Sequence, residues 1–521
     1  MQAQKIPFGT TGSFTPFFLD YISQKESLKP FYHRFPIIPN VGEQLKEKTK
    51  SYSKHNRDIL VSSLRQQYKN VEYGDAVKRN LSDLGDEKTF TVTTGHQLNI
   101  FTGPLYFIYK IATVINACKK LKEVYPKYNF VPVYWMASED HDYDEIKSFR
   151  LYGKKYTWET SQNGAVGRFH TNDFKALLQE IPGDIKIFKE AYTKNKTLTE
   201  AVRQYVNELF GSEGLVVVDG DDHELKKLFT SVMSDDLFNH SSKQHVDATN
   251  AALEKAGYKT QVFCRDINLF YLEDGLRSRI EKSGDLFNVV DTSISFSPAE
   301  LKDLLQHSPE KFSPNVILRP LYQEAILPNL AYVGGPAEVV YWLQLKGVFD
   351  HHQIPFPMVM PRNFAMVMDA PTFRKFNKTG MSIEYLFLEK EKLFNQIITQ
   401  ISTAKLELNG EKDIIEKQFQ IIRDNALTID KTLGPLVLAE TQRALKSLKK
   451  IEQKLLKAEK RKQSDKLKQI EAVKDSLFPN GSPQERTDNF LNFYLQDQQF
   501  IAKLFAHFDP FEYQFNVLHY T

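Results

Sequence analysis

FVPVYWMASEDHDYDE, residues 130–145, is the stretch on which the fold turns. Phe130 to Met136 is apolar, rich in aromatic and β-branched residues and free of charge, the composition of a strand buried on both faces of a parallel sheet. The run then changes character within two residues. Glu139-Asp140-His141-Asp142-Tyr143-Asp144-Glu145 holds five carboxylates and one histidine in seven positions, and Ser138 stands where it would cap a following helix. Crowded acids repel one another and are costly to bury unless a cation, a base or a substrate ammonium compensates. A strand that empties into them therefore points to a pocket for cationic groups. Asp140 or Asp142 would orient His141 for proton transfer, and Glu139 with Asp140 would hold an amine or Mg²⁺. The plainer reading is a helix first turn that favours acids; the position directly after a strand favours function. With no second histidine close by, a zinc ligand set is not read, and no metal ligands are assigned.

Working outward, similar apolar runs stand at Phe90 to Thr94, Gly214 to Asp219 and Phe356 to Met360, separated by amphipathic stretches. That alternation predicts an α/β domain with a parallel sheet. Two more polar stretches, about 152–209 and 235–313, read as insertions beside it. The strand ending at Thr94 runs into Gly95-His96-Gln97-Leu98-Asn99-Ile100-Phe101-Thr102-Gly103-Pro104, with Pro104 suited to the first turn of a helix whose apolar face is Leu105, Ile108, Ile111, Ile115 and Cys118. A polar loop at the carboxyl end of such a strand is where open α/β sheets bind ligands. Its amides and helix start would receive phosphate or carboxylate, with His96, Gln97 and Asn99 as partners. The loop is neither GxGxxG nor GxxxxGK[ST], so spacing alone does not make it a nucleotide site. Gly214 to Glu224 repeats the strand-then-acid theme, where capping explains the acids. Further along, Arg319 offers a fork for carboxylate or phosphate, and Gly334-Gly335-Pro336 starts a helix with Glu338 in its first turn.

From Leu388 the pattern changes. Phe394, Ile397, Ile401, Ala404 and Leu408, then Ile415, Phe419, Ile422, Ala426, Ile429, Leu433 and Leu436, recur at steps of three and four with one slip between Glu411 and Phe419. This predicts a coiled-coil seam with a stutter. A second helix, Thr441 to Leu477, would return antiparallel after a break at Gly434-Pro435. Between Thr441 and Lys474 it carries twelve basic against four acidic residues, either a solvated face or a site for an anion. Pro479-Asn480-Gly481 ends the arm. The expected organisation is thus 1–387 as the α/β core, 388–477 as a coiled coil, and 478–521 as an aromatic segment packing back on the core.

Composition bounds the function classes. With 38 Phe and 24 Tyr in 521 residues the chain can build a large core, and a net charge of +3 excludes a phosphate-binding surface spread over the whole molecule. Two cysteines, Cys118 and Cys264, are too few for a disulfide framework. Met1 to Phe18 lacks the pattern of an export signal, and the apolar stretch Ile354 to Met368 is interrupted by three prolines and Arg362, so a cytoplasmic protein with no membrane span is expected. Two classes stay open on the residues alone. One is a metal-assisted hydrolase using the Asp/His cluster, the other a coiled-coil nucleic-acid-binding protein using the basic helix.

Taken together and in this order, TTGHQLNIFTGPLYFIYK, VPVYWMASEDHDYDE, LRPLYQEAILPNLAYVGGPAEVVYWLQL, LFPNGSPQER and DPFEYQFNVL resemble the bacillithiol biosynthesis cysteine-adding family, BshC, over nearly the whole chain. The resemblance implies a Rossmann-like core with connecting inserts and a coiled coil used for homodimerisation. It implies a ligase that joins L-cysteine to glucosaminyl malate in the last step of bacillithiol synthesis. By position it places binding residues at Gly95, Gln97, Asn99, Gly103, Glu139, Arg319, Gln323, Gly335 and Glu338, to which the loop reading adds His96, beside Asp140, His141 and Asp142 as catalytic candidates. The family's loop commonly reads Gly-Gln-Gln where this chain has Gly95-His96-Gln97, which argues against a required catalytic role for His96. Amide formation from a free carboxylate needs activation, so ATP or another nucleotide, with Mg²⁺ as an option, is expected as cofactor. Nucleic acid is not an expected partner.

Overall fold

Five largely apolar runs assemble into one parallel sheet in the computed structural model, which describes residues 1–521. They are β1 (Thr89–His96), β2 (Asn129–Met136), β3 (Val216–Asp219), β4 (Asn329–Gly334) and β5 (Met358–Pro361), in the spatial order β5-β4-β1-β2-β3. Each is covered on both faces, as their β-branched and aromatic composition requires. The chain builds β1 to β3 in one direction, then returns to add β4 and β5 on the other side of β1, so the strand order reverses between β1 and β4. In this Rossmann-like arrangement that reversal opens a crevice at the carboxyl ends of the strands. Four of the five strands are those read from composition. The fifth, β4, hides behind its first residue: Asn329 is fully buried, its Oδ1 accepting from the hydroxyls of Thr91 (3.0 Å) and Thr93 (2.8 Å) and its Nδ2 donating to Glu324.

Helix α1 (Tyr106–Val124) links β1 to β2 and is buried almost all round through its first three turns. Its Val114, Ala117, Cys118 and Leu121 pack with Phe90, Val92, Phe130, Leu330, Val333 and Met358 as one apolar cluster. Removing any one of the large side chains there should cost about 2–5 kcal/mol. Between β2 and β3 lie a hairpin, Ser148–Leu151 with Lys154–Thr157, and the helices Phe174–Glu180, Lys186–Lys194 and Leu198–Phe210. After β3 come α2 (Thr230–Asn239), α3 (Ser241–Lys255) and a five-stranded antiparallel sheet containing Leu269–Glu273, Leu276–Ser283 and Phe312–Pro314. Then follow α4 (Leu318–Ile326), α5 (Pro336–Gln344) and α6 (Lys346–His351). Residues 482–518 belong to this same compact unit, together with 1–9 and 13–366. Asn489 Nδ2 donates to the carbonyls of Phe101 and Gly103, and Asn116 Nδ2 to those of Phe505 and Phe508.

The second unit, residues 10–12, 367–481 and 519–521, is helical: α7 (Ala370–Thr379), α8 (Lys390–Ile401), α9 (Asn409–Ile429), α10 (Leu433–Lys462) and α11 (Ser464–Leu477). Cross-links Lys412–Glu452 (2.7 Å), Lys460–Glu391 (2.8 Å) and Lys390–Glu471 set its long helices antiparallel. Two details differ from the periodicity. The seam is interrupted at 402–408, ahead of the slip read at 411–419, because Glu452 from the opposite helix takes the Leu408 N–H and so caps a new helix start. The returning helix begins at Leu433, not Thr441: Gly434-Pro435 fall in its first turn, where proline's missing N–H has no bond to lose. No helix is long and apolar enough to cross a membrane.

Candidate active site

At the reversal of strand order, the ends of β1, β2 and β4 border one cavity of about 560 Å³. β1 and β2 run in parallel register to their last residues, Gly95 opposite Trp135 and His96 opposite Met136, so the glycine-led loop and the acidic run leave the sheet at the same edge. Gly95, His96 and Gln97 line one side of the cavity and Ser138, Glu139, Asp140 and His141 another. The first residue is confined: a Cβ on Gly95 would meet the Tyr332 hydroxyl at 3.4 Å and Arg319 Nη1 at 3.5 Å.

One end of the cavity is cationic. Lys110, on the first turns of α1, donates to the Gly95 carbonyl (2.8 Å) and pairs with Glu338 (2.6 Å). Glu338 also accepts from the Tyr332 hydroxyl (2.6 Å) and the Gly335 N–H (2.7 Å). Burial works to raise the Glu338 carboxyl, but Lys110 and these donors outweigh it and hold it below the usual carboxylate range. The Lys110–Glu338 pair thus cancels itself. Arg319, from α4, does not: Nη1 donates to Gln323 Oε1 (3.1 Å), while Nη2 is buried with no hydrogen-bond partner. Arg362, just past β5, is held in a two-pronged pair by Glu485 (2.8 and 2.6 Å), and the adjacent Arg486 reaches the cavity with no ion-pair partner. A buried guanidinium nitrogen without an acceptor, beside a second free arginine, fits a carboxylate or phosphoryl oxygen.

The other end is acidic. Glu139 is buried against Lys226, itself fully enclosed (2.5 Å). Burial pushes the Glu139 carboxyl up, against the pull of Lys226. Asp140 accepts from Gln97 Nε2 (3.1 Å) and from the His141 N–H (2.9 Å), and Arg277 approaches at 3.5 Å. Arg277 Nη1 lies 2.7 Å from His141 Nδ1; since an arginine can only donate, this ring nitrogen accepts and the imidazole proton sits on Nε2. Burial, then Arg277, lowers His141 from its ordinary range, which keeps it neutral. His96 is driven further, to about 3, by burial and then Lys110, its ring set between Tyr106 and Phe107. It contributes a neutral, largely aromatic wall.

Of the residues picked from sequence, Gly95, His96, Gln97, Glu139, Asp140, His141, Arg319, Gly335 and Glu338 line this one cavity. Four do not. Asp142 is turned to the Glu145 N–H, capping the short helix 143–146. Gln323 stands behind Arg319, passing its own amide N–H to Glu324 (3.0 Å). Asn99 and Gly103 face each other inside the protein: a Cβ on Gly103 would fall 2.5 Å from that of Asn99. The intervening Phe101 and Thr102 have left-handed φ of 51° and 70°, which drives the Phe101 ring against Phe149 and Phe188. The segment from Leu98 to Leu105 therefore does not line the cavity, which α1 reaches through the side chains of Tyr106 and Lys110, and the Leu105 N–H is already bonded to the Asp488 carbonyl. No open amide cradle replaces it: Gly335, Pro336 and Ala337 at the start of α5 border the cavity, but the Gly335 N–H is taken by Glu338 and Pro336 has none. Sequence reasoning passed over Lys110, Arg277, Arg362 and Arg486. Lys110 had a signal, as the only charge between Leu105 and Cys118. Arg277 had none.

Two consecutive parts of the chain match two family models: residues 1–363 match "Bacillithiol biosynthesis BshC, N-terminal Rossmann-like domain", and residues 365–520 "Bacillithiol biosynthesis BshC, C-terminal coiled-coil domain". Among similar proteins, one from Flavobacterium johnsoniae is 42% identical, covering 99% of this chain and 100% of its own. One from Christiangramia forsetii is 43% identical over 99% of both chains, and one from Chlorobaculum tepidum 29% identical over 92% of both. All three carry the description "Putative cysteine ligase BshC".

Proposed function

Because the chain belongs to the BshC family of bacillithiol biosynthesis, we propose that it is a cysteine ligase that joins L-cysteine to glucosaminyl malate through an amide bond, the last step of that synthesis. One observation carries the substrate assignment: the acids Glu139 and Asp140 and the unpartnered Arg319 Nη2 border the same cavity. A glucosaminyl malate has the matching polarity, an ammonium on the sugar and carboxylates on the malyl group. Arg319 and Arg486 hold the carboxylates, and Asp140, steadied by Gln97, holds the ammonium. An amine attacks only as the free base. Glu139, whose affinity for a proton burial has raised, takes that proton, with Lys226 returning charge balance beneath it. ATP or another nucleotide, with or without Mg²⁺, supplies the activation of the cysteine carboxylate; the unpaired guanidinium groups suit its phosphoryl groups. Neither protein thiol takes part, since Cys118 and Cys264 are both buried and burial holds both thiols above their ordinary range.

The protein is placed in the cytoplasm by this reading, and it works as a homodimer through the coiled coil, where Ile414, Ile421, Ile429, Leu436 and Ile451 expose apolar surface. The test is full-length protein with cysteine, glucosaminyl malate and ATP, followed by mass detection of the thiol product and of AMP against ADP. Product formation that requires all three supports the reading. Absence of product there, together with normal bacillithiol in cells lacking the gene, overturns it.

A further inference from the structure

Away from the cavity, three helices bring histidines to one aspartate. Asp235 lies on α2, His245 on α3, and His351 and His352 at the end of α6. Helix α6 can lie this close to α3 only because residue 347 is glycine: a Cβ there would fall 2.6 Å from Thr249 Oγ1 and 3.0 Å from the His245 carbonyl. The close approach stacks the His245 and His351 rings at 4.3 Å. Asp235 is oriented from behind, its Oδ1 accepting from Asn239 Nδ2 (2.8 Å) and Ser241 Oγ (3.1 Å). Its Oδ2 faces His351 Nε2 at 3.2 Å and His352 Nε2 at 3.7 Å. The His352 side chain is 9% exposed, and its Nε2 is buried without a hydrogen-bond partner. A nine-tenths buried ring nitrogen aimed at a carboxylate, yet too far to bond it, is costly to leave so.

We infer that Asp235, His351 and His352 form a binding site for one transition-metal dication of the zinc class. A tetrahedral ion with bonds of about 2.0–2.1 Å separates its ligand atoms by roughly 3.3 Å. The two separations from Asp235 bracket that value, and all three donor atoms lie within 4.8 Å of one another. Two imidazoles and one carboxylate select zinc, cobalt or nickel over magnesium or calcium, which prefer all-oxygen shells. The fourth position falls to water or to His245. The hydrogen bonds to Asp235 Oδ1 supply the outer support that such ligands need. Bound metal ties α2 and α6 together, and α6 leads directly into β5 and Arg362, so the site braces one wall of the cavity from outside.

The test uses tag-free full-length protein stripped with a chelator and titrated with Co²⁺, then with Zn²⁺ in competition. The expected result is one equivalent of Co²⁺ with the visible bands of a tetrahedral site, displaced by Zn²⁺, and a rise in the melting temperature. Asp235→Asn and the double variant H351N/H352N should weaken binding at least about 100-fold, and Ser241→Ala, which touches only the outer support, about 10-fold. Metal-free variants with the urea midpoint of the metal-free parent establish that folding is intact; if one fails to fold, parental stoichiometry and the Ser241→Ala shift decide. No stoichiometric Co²⁺ spectrum in the parent, or unchanged affinity in folded D235N and H351N/H352N, overturns the site and leaves the cluster as an ordinary Asp–His contact.

Discussion

Replacing Arg319 by methionine isolates the cationic end of the cavity. Inside the protein this side chain donates to Gln323 at 3.1 Å, interacts with the Tyr341 hydroxyl, and its guanidinium lies 5.6 Å from the centre of the Tyr332 ring. Gln323 keeps its bond to Glu324 when Arg319 is gone, but its buried Oε1 loses its donor, while the unsatisfied Nη2 is removed at the same time. The net loss of stability should therefore be about 1–3 kcal/mol at most. Binding is another matter. A charge-assisted bond from Nη2 to a substrate carboxylate contributes about 1.5–3 kcal/mol, which at 1.4 kcal/mol per decade raises KM or Kd for glucosaminyl malate roughly 10- to 150-fold. Arg319→Lys restores charge without the fork and should fall between the two. Isothermal titration with glucosaminyl malate reads binding directly, and steady-state ligation separates KM from kcat. A folded Arg319→Met protein with parental affinity for that substrate would refute the assignment of its carboxylates to this end.

At the acidic end, Asp140→Asn keeps the size and the acceptor for Gln97 but removes the charge facing the amine; turnover should fall on the order of 10²-fold or more with nucleotide affinity unchanged, as followed by product formation and nucleotide titration. Lys110→Met leaves the partly buried Glu338 without its counter-charge and should cost about 1–3 kcal/mol in urea unfolding, whereas the double variant K110M/E338Q should regain part of that loss. Additive losses would show that the two side chains are not coupled. Asp219 gives a pH signature. Burial, then the neighbouring Asp221, raises its carboxyl from an ordinary 3.8 to about 6, so the folded state holds a proton there that the unfolded chain has released. Stability contributed by that proton is present below about pH 4 and is lost as pH rises to about 6, a fall of about 3 kcal/mol at most. Asp219→Asn should flatten this part of the pH–stability curve by denaturant titration. Asp488, raised to about 6 chiefly by burial, keeps a residual slope of the same sign.

The sequence alone determined what local composition can carry. Uncharged β-branched and aromatic runs had to be buried strands, and acids placed immediately after Met136 had to emerge at a strand end. A strand's own polar residues can hide it, as Asn329 does in β4, because a buried amide with three partners looks in sequence like a loop. The heptad-like spacing announced the long helices, but their ends depend on an acceptor contributed from the opposite helix, Glu452, which no local pattern contains. Loop polarity misled at Asn99 and Gly103, since Phe101 in a left-handed conformation draws that segment inside. Only the tertiary structure decided which charges share the cavity. Lys110, Arg277, Arg362 and Arg486 come from a helix, an antiparallel sheet, a strand end and a C-terminal turn, and what unites them is a reversal of strand order between β1 and β4. Spacing along a chain encodes the faces of single elements; convergence of four distant elements on one crevice is encoded only in how those faces pack.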